Sequence, residues 1–150
     1  MNEKSFTVVG IKTRTSNVDE MNGVARIASL WNQFFANNIA EKIPNKLSGE
    51  ILSVYHDYET DSSGPYSVML GMKVSKATDV PGGLEVIQIP EQKYQVFPCA
   101  VGAMPEVVVQ GWQQIWALEK SSEIQRKYSF DFELYPEQPG GAVNIFVAVK

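Results

Sequence analysis

Apolar residues along this chain recur at two spacings, and each switch between them marks an element. From Ser5 to Arg14, Phe6, Val8, Val9 and Ile11 are mixed with Thr and Lys, which reads as a strand. Val24, Ile27, Ala28, Trp31, Phe34 and Phe35 then recur at helical intervals, with Arg26, Asn32, Gln33 and Asn37 filling the other face. Asn17 followed by Glu20 is a capping-box-like start for that helix. Lys42-Ile43-Pro44-Asn45 ends it, because proline lacks an N–H and clashes with the preceding turn. Ile51 to Glu59 and Tyr66 to Val74 read as strands on either side of a polar loop, Thr60 to Pro65. Pro81-Gly82-Gly83 is a turn, Leu84 to Ile89 a short strand stopped by Pro90, and Lys93 to Val101 a further strand. Pro105 stands where the first helical position tolerates proline, and Val108, Val109, Trp112, Ile115 and Trp116 mark a second amphipathic helix. Lys127 to Tyr135 alternates, Pro136 to Gly141 turns, and Val143 to Val149 is a last strand with Val143, Ile145, Val147 and Val149 on one face.

The order is β-α-β-β, a short linker strand, and β-α-β-β again, an internal repeat of roughly eighty residues. The first unit spans about residues 5–75 and the second about 92–150. The expected fold is α+β and forms a single domain over residues 1–150. Two duplicated β-α-β-β units join into one curved, mainly antiparallel sheet, with two helices packed on one face. A cleft follows at the pseudo-two-fold seam, where pockets tend to form.

Composition narrows the function. The 150 residues are 44% hydrophobic, a globular value, and a chain of this length buries a sizeable core without metal or disulfide. Thirteen basic residues stand against seventeen acidic ones, a formal net charge of −4, with no basic run. That argues against direct nucleic-acid binding, which needs clustered cations, and favours weak attraction of cations over the whole surface. No apolar run reaches 18 residues, so no membrane span is expected. One cysteine, Cys99, and no secretory signal point to the cytoplasm.

Several segments together resemble the GyrI-like effector-binding domains, and above all their stand-alone, integron-cassette-associated group. These are Phe6 to Ile11, Leu30 to Phe34, Val54 to Glu59, Gly71, Gly82-Gly83, Ile89-Pro90, Tyr94 to Phe97, Trp112 to Trp116, Asp131 to Tyr135 and Ile145 to Val149. Related domains form the ligand-sensing half of some AraC- and MerR-type regulators. The resemblance covers nearly the whole chain in the correct order. It implies a sheet carrying two helices, an aromatic pocket and a central buried glutamate that faces a cationic ligand. Glu133 matches that position. No helix-turn-helix accompanies it here, so ligand sensing carries over and direct transcription control does not.

The residues themselves leave alternatives beside that reading. On the strand ending at Tyr135, Tyr128, Phe130, Phe132 and Leu134 share one face, while Ser129, Asp131, Glu133 and Tyr135 share the other. Glu133 is therefore either a cleft residue or an ordinary solvent-facing one. Trp31 and Trp116 occupy similar places in the two halves and are expected as opposite pocket walls, stacking on a cation. Trp112 fits a core position at least as well. Tyr55 is expected on the face of Glu133. Phe146, opposite the Val/Ile face of the last strand, is expected to join it. Asp57 is either a second carboxylate near the seam or a solvated one.

His56, the single histidine, has no second His or Cys pair for a metal site and no Gly-x-Ser-x-Gly elbow for a hydrolase triad, and Cys99 reads as a buried small hydrophobe. No metal or cofactor is expected. The leading expectation is a non-enzymatic binder of amphipathic, cationic aromatic small molecules, a monomer or weak homodimer. A hydrolase of small electrophilic compounds is the second reading, and a gyrase- or regulator-interacting protein the third.

Overall fold

A computed structural model describes residues 2–61, 63–137 and 141–150. Eight strands form one sheet: β1 Asn2–Glu3, β2 Phe6–Thr15, β3 Ile51–His56, β4 Tyr66–Val74, β5 Glu85–Ile89, β6 Gln92–Pro98, β7 Asp131–Tyr135 and β8 Asn144–Ala148. Their order is β1-β6-β8-β7-β3-β4-β2-β5, and every pairing is antiparallel. The duplication is visible in that order. β2-β4-β3 of the first unit meets β7-β8-β6 of the second through the β3–β7 pair, so the two units are related by a pseudo-two-fold at the seam. The turn expected over Pro136 to Gly141 falls partly at 138–140, and Ser62 of the Thr60 to Pro65 loop is likewise outside the described residues.

The helices are α1 Asn17–Met21, α2 Arg26–Ala36, α3 Ile39–Lys42 and α4 Glu106–Lys120. The single long helix expected after Asn17 is broken at Gly23, whose φ of +85° suits glycine and ends α1. The cap also differs from the expected one. Ser16 is the N-cap of α1 and accepts from the Asp19 N–H at 3.2 Å. Glu20 instead caps α2, accepting from the Arg26 and Ile27 N–H groups at 3.2 Å each and from Thr15 Oγ1 at 2.7 Å.

Both faces of the sheet are buried. On one face α2 covers β2 and β4 through Leu30 and Phe34, while α4 packs Val108, Trp112 and Ile115 on Ile145 and Val147 of β8. The other face closes on itself. Phe6 of β2 meets Phe132 of β7 edge-on at 5.6 Å although β3 and β4 lie between them, a contact that requires the sheet to roll. Val8, Leu52, Val54, Met69, Tyr94 and Phe146 fill that concave core. Gly10 and Gly71 are cross-strand partners at a close approach of β2 and β4. A Cβ on Gly10 would lie 1.9 Å from the Leu70 carbonyl oxygen, so any side chain there forces the strands apart.

Several strands end earlier than alternation suggests. β3 stops at His56 because Asp57 takes φ +50°. β7 begins only at Asp131, since Tyr128 takes φ +56° and turns to the opposite side from Phe130. No helix among the described residues is long and apolar enough to cross a membrane.

Candidate functional site: a carboxylate on the seam

The β3–β7 register runs from Ile51–Tyr135 to Tyr55–Asp131, with Ser53 facing Glu133 at its middle. A two-fold at that point carries Ser53 onto Glu133 and Tyr55 onto Tyr135. Alternation turns all of these side chains to the helix-covered face and sends Phe132 and Leu134 to the concave core.

Glu133 is 2% exposed. Tyr55 Oη donates to Oε2 at 2.8 Å, Trp112 Nε1 to Oε2 at 2.6 Å, and Tyr135 Oη to Oε1 at 2.5 Å. All three donors are neutral, and no ion pair to Glu133 occurs among the described residues. Burial raises the carboxyl above the ordinary glutamate value of 4.5, and the three hydrogen bonds pull it part of the way back. Burial, reinforced by the neighbouring carboxylate, holds the Tyr55 and Tyr135 phenols well above their ordinary value, so both remain donors.

A cavity of about 720 Å³ opens above this carboxylate, a size typical of small-molecule sites. Ile27 and Trp31 of α2 form one wall, Val108, Val109 and Trp112 of α4 the other, and Tyr55, Glu133 and Tyr135 the floor. Glu20 adds a second acidic group, and none of the described lining residues is basic. A side lobe of about 120 Å³ shares Glu20, Ile27, Tyr55, Val109 and Trp112 with that cavity and is further lined by Tyr58, Tyr66, Trp116 and Arg126. Trp31 meets Tyr135 edge-on at 4.8 Å, and Trp112 meets Tyr55 edge-on at 5.3 Å. Each tryptophan thus packs on the tyrosine of the other half. By contacts the counterpart of Trp31 is Trp112 rather than Trp116, which lies 6.4 Å from Trp112 and lines only the side lobe.

Of the expected site residues, the fold brings together Glu133, Trp31, Trp112, Trp116 and Tyr55. It does not bring Phe146 or Asp57. The Val/Ile face of β8 is the helix-covered one, so Phe146 points the other way and stacks on Phe132 at 4.5 Å in the concave core. Asp57 turns outward at the end of β3, its side chain 63% exposed and 3.3 Å from His56 Nδ1. His56 is also away from the cleft, stacked on Phe130 at 5.6 Å. Burial lowers its pKa, with Asp57 opposing. Cys99 is buried in the α4-side core.

Sequence reasoning missed several contributors, Glu20 among them, which it reads only as a helix cap. Tyr135 was legible, since it alternates with Glu133 and repeats Tyr55. The cluster of Asp131, Arg126 and Tyr58 was not, because Arg126 and Tyr58 lie outside regular strands. Asp131, fully buried, accepts from Arg126 Nη2 at 2.8 Å, Tyr58 Oη at 2.5 Å and the Ala148 N–H at 2.7 Å. The guanidinium sits among the rings of Tyr128 (4.4 Å), Trp112 (5.5 Å) and Tyr58 (5.9 Å). Burial alone would lower its pKa, but Asp131 and Tyr58 more than offset this.

Comparison with known proteins agrees with this architecture. An integron cassette protein from Vibrio cholerae superposes with a TM-score of 0.83 and 28% identity, covering 100% of this chain and 94% of that one. The structure of SAV2435 bound to tetraphenylphosphonium superposes with a TM-score of 0.80 and 25% identity, covering 100% of this chain and 92% of that one. A putative transcriptional regulator, YobU of Bacillus subtilis, is 31% identical over 146 residues, spanning 94% of this chain and 90% of its own length. The transcriptional regulator BrlR of Pseudomonas aeruginosa is 26% identical over 97% of this chain, which matches about half (52%) of that regulator. The family described as Cass2, integron-associated effector binding protein, matches residues 1–149. The chain therefore belongs to the Cass2 family of integron-associated effector-binding proteins.

Proposed function

We propose that this protein binds amphipathic, cationic aromatic small molecules in the seam cleft, with Glu133 as their counter-charge. It would act as a cytoplasmic sensor or sequestering domain, not as an enzyme, and as a monomer or weak homodimer. One observation carries the reading. A buried carboxylate stands in an aromatic cavity with only neutral donors around it, and a charge so placed is costly until a cation meets it. A tetraphenylphosphonium-bound structural neighbour supports a ligand of this class. Apolar burial at about 25 cal/mol per Å² would supply most of the affinity, less the costs of association. Stacking on Trp31 and Trp112 would add roughly 0.5–2 kcal/mol per contact.

The test is tryptophan quenching by tetraphenylphosphonium beside neutral triphenylphosphine oxide. Saturable quenching by the cation is expected. Glu133→Gln should weaken the cation at least tenfold, equivalent to about 1.4 kcal/mol, and leave the neutral compound within threefold. Equal losses for both would remove charge selection. Turnover of an electrophilic compound that disappears in Glu133→Gln would put the hydrolase reading in its place.

A further inference from the structure

The two lobes of the cleft differ in charge. Glu133 lines the main cavity and Arg126 lines the side lobe, where it is the one basic residue among the described lining residues. Its two carboxylate partners, Asp131 at 2.8 Å and Glu119 at 3.8 Å, line neither lobe. Asp131 is fully buried and holds the Ala148 N–H as well as Arg126. The ion pair therefore presents its positive end to the lobe and keeps its negative end behind it. Glu20, which accepts only from neutral donors of Thr15, Arg26 and Ile27, borders both lobes alike, so Glu133 and Arg126 are the charges by which they differ. Of the lobe's aromatic lining, the Tyr58 ring already faces the Arg126 guanidinium.

Resting on the cationic-ligand reading above, we propose that Arg126 makes the side lobe reject positive charge and so orients the ligand. The cationic centre sits over Glu133, and an uncharged or anionic arm enters the lobe. The lobe is about one sixth the volume of the main cavity (120 against 720 Å³), which suits a single arm rather than a bulky onium centre. Arg126 is thereby a specificity-determining residue. The favoured ligands are amphiphiles with a cation at one end only, and compounds with a cation at both ends are discriminated against.

Three probes test this by titration calorimetry. Each is a trimethylammonium joined by a four-carbon chain to a phenyl ring, whose para position carries hydrogen, a carboxylate or a second trimethylammonium. In the wild-type protein the hydrogen and carboxylate probes should bind at least tenfold more tightly than the bis-cation. Arg126→Lys keeps the charge and should keep that order. Arg126→Gln combined with Asp131→Asn removes both charges together and should bring the bis-cation to within threefold of the hydrogen probe. A bis-cation that binds wild type as tightly as the hydrogen probe overturns the inference, and this result needs no variant to fold. So does a tenfold preference that persists in the folded double variant. Failure of the parent reading looks different. There the hydrogen probe itself does not bind, or Glu133→Gln leaves its affinity unchanged.

Discussion

Asp131 and Glu133 lie two residues apart on the same face of β7, both out of water, and their surroundings treat them in opposite ways. Asp131 is given a cation by the chain itself, a guanidinium set among three aromatic rings and joined by a phenol and a backbone N–H. Glu133 receives two phenols and an indole, enough to orient the carboxylate but not to neutralise it. The first arrangement is a completed ion site. The second offers a carboxylate with neutral partners only, opening onto a cavity of about 720 Å³. The difference teaches that a buried carboxylate can be neutralised by its own chain, as Asp131 is, or only oriented by it, as Glu133 is.

Breaking each site in turn should expose that difference. The largest effect is expected from Arg126→Met, which strands the Asp131 charge in the interior and should cost about 3–5 kcal/mol in urea unfolding. Glu133→Gln removes a buried charge that no cation offsets and should stay within about 1 kcal/mol of wild type in the same assay. Similar losses in the two variants would erase the distinction.

A second effect, of intermediate size, is in pH. Glu133 has a raised folded-state pKa, so its protonated form favours folding below the ordinary value of 4.5, and that contribution declines as pH rises through the folded value. Cation binding needs the ionised form. Affinity for tetraphenylphosphonium should therefore climb as pH rises across the same window, with proton release on binding. Titrations in buffers of unlike ionisation enthalpy would detect that release, and proton uptake would contradict the assignment. The smallest effect is expected from Asp57→Asn. This group is exposed and outside the cleft, so stability should move by less than about 0.5 kcal/mol and cation affinity by less than twofold.

Much of this architecture was legible in the residues, and the failures have physical causes. Alternation placed Glu133 and Tyr55 on one face because β3 and β7 are regular strands, where period two is reliable. The tryptophans emerged because α2 and α4 keep helical spacing. Alternation says which residues share a face, however, and not which face of a doubly buried sheet is covered by helices. Phe146 was misassigned for that reason, since β8 is apolar on both sides. Asp57 failed differently: its left-handed backbone ends the strand, and no periodicity announces such a residue. Arg126 and Tyr58 come from connecting segments, so only the folded chain shows that they meet at Asp131.

The position of Glu133 on the seam constrains how such a site arose. In a dimer of two identical half-units, every residue on the axis faces its own copy. Cross-strand neighbours stand about 5 Å apart at the Cβ atoms, so a glutamate there would confront a second glutamate and one of the pair would have to stay protonated. Joining both halves in one gene frees the two positions to diverge. One keeps Ser53 and the other carries Glu133. A single carboxylate at the centre is thus open to a fused chain, whereas a symmetric dimer of half-units with the same seam would carry two.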